Sequence, residues 1–202
     1  MKLLSPIKLA FAALLLSMLG TSCYVWQPPN GSNGTLGQAG NRARGSVGPQ
    51  VDEGYWNGDS MSGPPSIKIV LHEQRAYFYK SNQVAGVSPI SSGREGLDTI
   101  TGKFHIIEKD IDHKSSLFGD YVDQDGNVIQ KEIDTSKDPK PKGARFDGAR
   151  MPYFMRIVGG TGMHEGYLPG YPASHGCIRM PGTMAEAFYR STPVGTPVTI
   201  AP

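Results

Sequence analysis

Cys177 is the only cysteine beyond the amino-terminal leader, and it lies in the run Ser174-His175-Gly176-Cys177-Ile178-Arg179, thirteen residues after His164. An unpaired thiol is accounted for by packing, by metal binding or by chemistry. Cysteine attacks as a thiolate. Its ordinary pKa is near ~8.5, and a neighbouring imidazole or a set of main-chain N–H groups brings the ionised form within reach near neutrality. His164 and His175 can both supply that influence. Gly176 permits a tight turn, which would let the N–H groups of Gly176 and Cys177 receive an oxyanion. Two plainer readings compete. One is a buried structural thiol. The other is a zinc site made of His164, His175 and Cys177, but a separation of two residues is a poor match to a Cys-x-x-Cys knuckle, so no metal or other cofactor is expected.

The elements that must position these groups read as short strands. Ile67 and Ile69 alternate with Lys68, and after a polar turn Ala76-Tyr77-Phe78-Tyr79 completes a hairpin. Residues 83–91 and 102–107 read as further strands. Met151 to Val158 is apolar and leads through Gly159-Gly160-Thr161-Gly162 to His164. Pro181-Gly182 makes a turn, Thr183 and Glu186 form a capping box on a short helix over 184–190 that buries Ala187 and Phe188, and 197–200 is a last strand. Strands at this spacing predict a mainly β domain, an antiparallel sandwich or barrel with one or two short helices. The charged stretch 108–150 reads as a long insertion whose one ordered feature is a hairpin centred on Asp125-Gly126-Asn127. An insertion of that length inside a compact domain suggests a flap over the cysteine.

Gly159-Gly160-Thr161-Gly162-Met163-His164 and Ala173-Ser174-His175-Gly176-Cys177-Ile178-Arg179-Met180 together resemble the signature of the L,D-transpeptidase catalytic domain, the YkuD-like family of peptidoglycan cross-linking enzymes. The likeness runs over residues 67–200. It includes Thr99-Ile100-Thr101-Gly102-Lys103-Phe104, with Ile100 where the family usually has proline; Glu165 follows His164 where the family mostly has glycine or a small hydroxyl residue. The resemblance implies that Cys177 is the nucleophile and His164 the general base, with His175 beside the oxyanion site and Ser174 and Gly176 ordering the turn. It implies peptidoglycan stem peptides as partners: a thioester formed on a tetrapeptide donor and resolved by an amine to give a 3-3 cross-link. An L,D-carboxypeptidase that uses water, or a non-catalytic peptidoglycan-binding lipoprotein, are the alternatives. Arg179 can pair with a stem carboxylate or form an ordinary salt bridge. Tyr153 and Met163 are placed in the substrate groove, although an aromatic on an apolar strand is more often core. Glu165 can orient His164 or stay solvated. His72, His105 and His113 receive no role.

The chain has 202 residues, enough for one domain with extensions. Lys2 and Lys8 precede or enter the apolar run Leu9 to Leu19, too short to span a bilayer as a helix and suited to a signal peptide over residues 1–22. Small residues before Cys23 suggest a lipoprotein processing site, with Cys23 lipidated and the protein held in the periplasm on a membrane. Residues 23–65, rich in Gly, Asn, Ser and Pro, read as a flexible tether to a catalytic domain at 66–202. Without the two leader lysines the basic and acidic residues balance at 18 each, and no basic stripe points to nucleic acid.

Overall fold

The computed structural model describes residues 54–202. The expected leader, Cys23 and the first part of the expected tether lie outside the described residues. Among the described residues eleven strands form two sheets, accompanied by one α-helix and a 3-10 turn at Gly58–Ser60, with the strands of the first sheet in the order β1-β4-β3-β2-β11-β5. These are β1 (Tyr55–Trp56), β2 (Pro65–Val70), β3 (Arg75–Lys80), β4 (Gln83–Pro89), β5 (Gly102–His105) and β11 (Pro197–Ala201). The second sheet runs β10-β9-β8-β6-β7, made of β6 (Glu108–Val122), β7 (Val128–Asp134), β8 (Arg145–Val158), β9 (Thr161–Glu165) and β10 (Ile178–Met180). The helix α1 is Gly182–Ser191. The fold is mainly β, as the sequence predicts, and most pairings are antiparallel. β11 with β2 and β10 with β9 are parallel.

Period-two alternation sends Ile67 and Ile69 inward while Lys68 stays exposed. They join Phe78, Met155, Met163, Ile178 and Phe188 in one core shared by both sheets and α1. Each large side chain buried this way contributes about 1.5–3 kcal/mol. The ordered domain begins before residue 66, because β1 pairs with β4 and Trp56 packs on Phe78 and Phe188 with ring centroids 5.0 and 5.7 Å away. Glycines make the space: a Cβ at Gly58 or Gly86 would come within 2.4 or 2.5 Å of the indole. The tether boundary expected at residue 65 therefore moves back, with Trp56 as the anchor. Trp56→Ala is expected to cost about 3 kcal/mol, read as a lower midpoint in urea unfolding.

Most of the stretch 108–150 is strand, with turns only at 123–127 and 135–144. β6 and β8 pair along most of their length, and β7 adds to the outer edge of β6. No apolar alternation marked these strands because much of the ribbon is exposed on both faces, so the ladder of main-chain hydrogen bonds carries them. The Asp125-Gly126-Asn127 turn does form between β6 and β7, with the Asn127 N–H donating to Asp123 Oδ1 at 2.8 Å. Between Lys114 and Gly119 the β6–β8 register slips, leaving Ser115 to Phe118 opposite Ala149 alone. This bulge pushes four residues out of the ladder.

The capping box expected from Thr183 and Glu186 is absent. Pro181 is the residue before the first turn and no side chain caps it. Glu186 instead faces Arg190 at 3.8 Å, one turn along. The first turn has Glu165 beside it: a Cβ on Gly182 would lie 3.3 Å from Glu165 Oε1. A carboxylate there is favoured by the unpaired N–H groups at a helix start.

Candidate active site

Parallel pairing of β10 with β9 sets Arg179 beside His164 and Ile178 beside Met163. Alternation then fixes the faces. His164, Cys177 and Arg179 share one face and line a cleft of about 590 Å³ together with Ser174 and His175. Met163, Ile178 and Met180 point the other way into the core, each 0 % exposed. Met163 is therefore a core residue and is withdrawn from the substrate groove. Tyr153 is withdrawn as well, for its ring packs against Tyr189 with centroids 5.8 Å apart, and its left-handed φ of 57° breaks the regular alternation of β8.

His164 is 6 % exposed. Its Nδ1 lies 2.6 Å from the main-chain oxygen of Glu165; a carbonyl can only accept, so Nδ1 carries the hydrogen and Nε2 keeps its lone pair. The Glu165 main chain thus orients the imidazole, while its carboxylate turns to α1. Burial lowers the His164 pKa to about 4 against the opposing pull of the Glu165 carbonyl, and the positive charge of Arg179 and the neighbouring His113 ring add to the lowering.

Cys177 Sγ lies 3.5 Å from the Gly160 main-chain oxygen, to which the thiol hydrogen donates. Burial raises the thiol pKa, and the Gly162 main-chain N–H directed at the sulfur, then Arg179 and Arg156, act in the opposite sense. Only glycine fits at 162, since a Cβ there would fall 2.4 Å from the Phe154 ring. The sequence suggested a thiolate held ready by an imidazole. Burial instead favours the neutral form of both groups at rest, because desolvation penalises each charge.

The turn before Cys177 is tied from within. Ser174 Oγ donates to the Cys177 carbonyl at 2.5 Å and accepts the Gly176 N–H at 3.1 Å. That bond takes Gly176 out of the pair of oxyanion donors expected from the sequence. Among the described residues the Cys177 N–H has no acceptor, and it stays available. Gly176 has a φ of 110°, a conformation that glycine adopts without strain.

Thr99, quoted in the sequence only as part of a motif, fastens the turn to the rest of the domain. Its Oγ1 donates to the Gly176 carbonyl at 2.9 Å and accepts the Gly93 N–H at 2.8 Å, all buried. Thr99→Val keeps the shape and strands both partners. A loss of roughly 2–4 kcal/mol in unfolding free energy is expected, with turnover falling as the turn loosens.

His175 is held from two sides. Phe118, delivered by the β6 bulge, stacks on its ring at 4.3 Å, and an Arg94 guanidinium nitrogen donates to its Nε2 at 2.9 Å. The flap expected over the cysteine is thus a bulged strand. Arg179 has no carboxylate within ion-pair distance among the described residues, which removes the ordinary salt bridge considered for it. Among the described residues no three His, Cys, Asp or Glu side chains converge as metal ligands. His113, given no role from the sequence, lines the same cleft.

A thiol and a buried imidazole with a free Nε2 line one cleft of a two-sheet β domain, beside an unpaired main-chain N–H; these are the kinds of group that nucleophilic acyl transfer draws on. The family model of the L,D-transpeptidase catalytic domain (YkuD) matches residues 64–200, and the chain belongs to that family. Solved structures share the fold. An L,D-transpeptidase from Mycobacterium smegmatis is similar at 18% identity and a TM-score of 0.52, covering 69% of this chain and 59% of that one. An L,D-transpeptidase from Stackebrandtia nassauensis gives 14%, 0.51, 76% and 61% for the same measures. The LD transpeptidase LdtMt1 in complex with imipenem gives 17%, 0.51, 68% and 58%. The chain matches about three fifths of the length of these structures. Curated proteins give no match.

Proposed function

We propose that the chain is a peptidoglycan L,D-transpeptidase that works through a thioester on Cys177. The observation that carries this reading is the shared face of β9 and β10, which sets His164 with a free Nε2 and Cys177 in one cleft. On a tetrapeptide stem, His164 Nε2 takes the thiol proton as sulfur attacks the carbonyl between the L-centre of the diamino acid and the terminal D-alanine. The Cys177 N–H receives the oxyanion charge, the C–N bond breaks, and His164 returns its proton to the departing amine. An amine of a neighbouring stem then attacks the thioester and frees the thiol, leaving a 3-3 cross-link. Arg179, without an acidic partner among the described residues, is available to a stem carboxylate. Export to the periplasm on the residue 1–22 signal, with a lipid at Cys23, would bring the domain to this substrate.

Mass spectrometry tests the reading directly. Incubated with a carbapenem, the chain should gain one adduct on Cys177; with disaccharide tetrapeptide it should release D-alanine and form dimer. Tripeptide without dimer would make it a carboxypeptidase. Neither adduct nor product would leave a peptidoglycan-binding module and overturn the enzyme.

A further inference from the structure

The cleft holds a third imidazole beside those of His164 and His175. His113 lies on β6 with its side chain 18 % exposed, stacks on Phe154 at 4.1 Å between centroids, and sets Nδ1 3.0 Å from Asp110 Oδ2. The carboxyl of Asp110 is held below the usual range, first by that hydrogen bond and then by the Asp112 N–H. An ionised carboxylate only accepts, so Nδ1 carries the hydrogen and Nε2 is the ring's free proton acceptor. Phe154 neighbours both this ring and the His164 imidazole, its centroid 6.4 Å from that of His164. Other charged or titratable groups that act on the pair are Arg156 on Asp110 from β8, His164 on β9, and Tyr189 on α1, which responds to Asp110.

A proton count gives the pair a task. An acceptor amine reaches the site as an ammonium with three N–H hydrogens, and the amide it becomes keeps one. Two protons must leave the nitrogen. His164 can carry one to the departing sulfur, which regenerates the thiol. It starts that step neutral and ends it neutral, so it cannot hold the other. Water as acceptor makes no such demand, because it attacks uncharged and the product acid ionises afterwards.

Resting on the function proposed above, we propose that His113, held by Asp110, is the base that deprotonates the acceptor ammonium for aminolysis of the thioester. The ammonium proton moves to His113 Nε2, and the imidazolium formed is paired with the Asp110 carboxylate. The freed nitrogen lone pair attacks the thioester carbonyl, the C–S bond breaks, and the second proton passes through His164 to sulfur. His113 then gives its proton to solvent.

The test uses the chain with disaccharide tetrapeptide, comparing the parent, His113→Gln and Asp110→Asn. Expected for His113→Gln are carbapenem acylation and tripeptide formation within about twofold of the parent, and a dimer-to-tripeptide ratio lower by about tenfold or more at pH 7. The ratio should recover toward pH 9.5, where free amine is abundant. Hydroxylamine, largely uncharged at pH 7, should capture the thioester equally well in parent and variant. Asp110→Asn should shift the ratio in the same direction by less, and it decides the matter if His113→Gln fails to acylate. An unchanged ratio in a variant that acylates overturns the inference alone, as does a parallel fall in acylation, hydrolysis and dimer in both variants. A parent that makes tripeptide but never dimer also overturns it. A parent with no adduct and no product overturns the proposed function, and this inference with it.

Discussion

Cys177→Ala should abolish release of D-alanine from tetrapeptide, with turnover down on the order of 10⁴-fold or more, and should leave no carbapenem adduct. The same substitution should barely change stability. The sulfur's hydrogen-bond contacts are weak ones, to the Gly160 carbonyl at 3.5 Å and from the Gly162 N–H, so the unfolding free energy should stay within about 1 kcal/mol of the parent. A large activity loss in a protein that still melts normally assigns the effect to chemistry; an Ala variant that keeps turning over would remove the nucleophile. The resting state of the sulfur is open to a separate check. Burial raises its pKa despite the Gly162 N–H and the charges of Arg179 and Arg156. Alkylation by iodoacetamide, which consumes thiolate, should therefore be slower at pH 7 than for an ordinary exposed thiol and should climb steeply with pH. A thiolate–imidazolium pair at rest would give fast alkylation down to acid pH.

The candidate nucleophile and base were legible because residue type and order carry them: one thiol after the expected leader, a histidine at the end of an apolar run, and a Ser-His-Gly turn between. Met163 was misassigned although the sequence excluded it. On a strand, choosing His164 for the cleft commits Met163 to the opposite face. Tyr153 could not be placed by the same rule, since its φ of 57° breaks the alternation locally. Most of the ribbon over 108–150 looked like loop, apart from its hairpin turn, because strands exposed on both faces lack the apolar alternation by which strands are read. Trp56 gave no sign of its partners, Phe78 and Phe188, because contacts so distant in sequence leave no local pattern. The Thr183–Glu186 box is a local preference overridden by Pro181, which starts the helix early enough to pass Thr183 into its first turn. His113 carries no sequence signal at all. Phe154, 41 residues later, reaches it only through the β6–β8 pairing.

His164→Gln should lower turnover by about 10³-fold, the scale of a lost general base, and it should also change how stability responds to acid. Imidazole in the unfolded chain titrates near ~6.5, whereas burial holds His164 in the folded domain at about 4. As the pH falls, the unfolded state takes its proton first. The stability associated with a neutral His164 is therefore complete above about pH 6.5 and drains away between there and about pH 4. At pH 5 the folded domain should have lost about 2 kcal/mol through this one residue relative to pH 7. Glutamine cannot titrate, so the difference between parent and variant in urea unfolding, followed from pH 7 to pH 5, isolates that share from other ionising groups. The activity profile should follow from the same protonation. Free-enzyme kcat/KM of the parent should hold up as the pH falls below 6 and fail only near pH 4, where Nε2 becomes occupied. An acid limb centred near 6.5, together with equal pH slopes of stability in parent and His164→Gln, would show that the imidazole is solvated, and the buried thiol–imidazole site would fail with it.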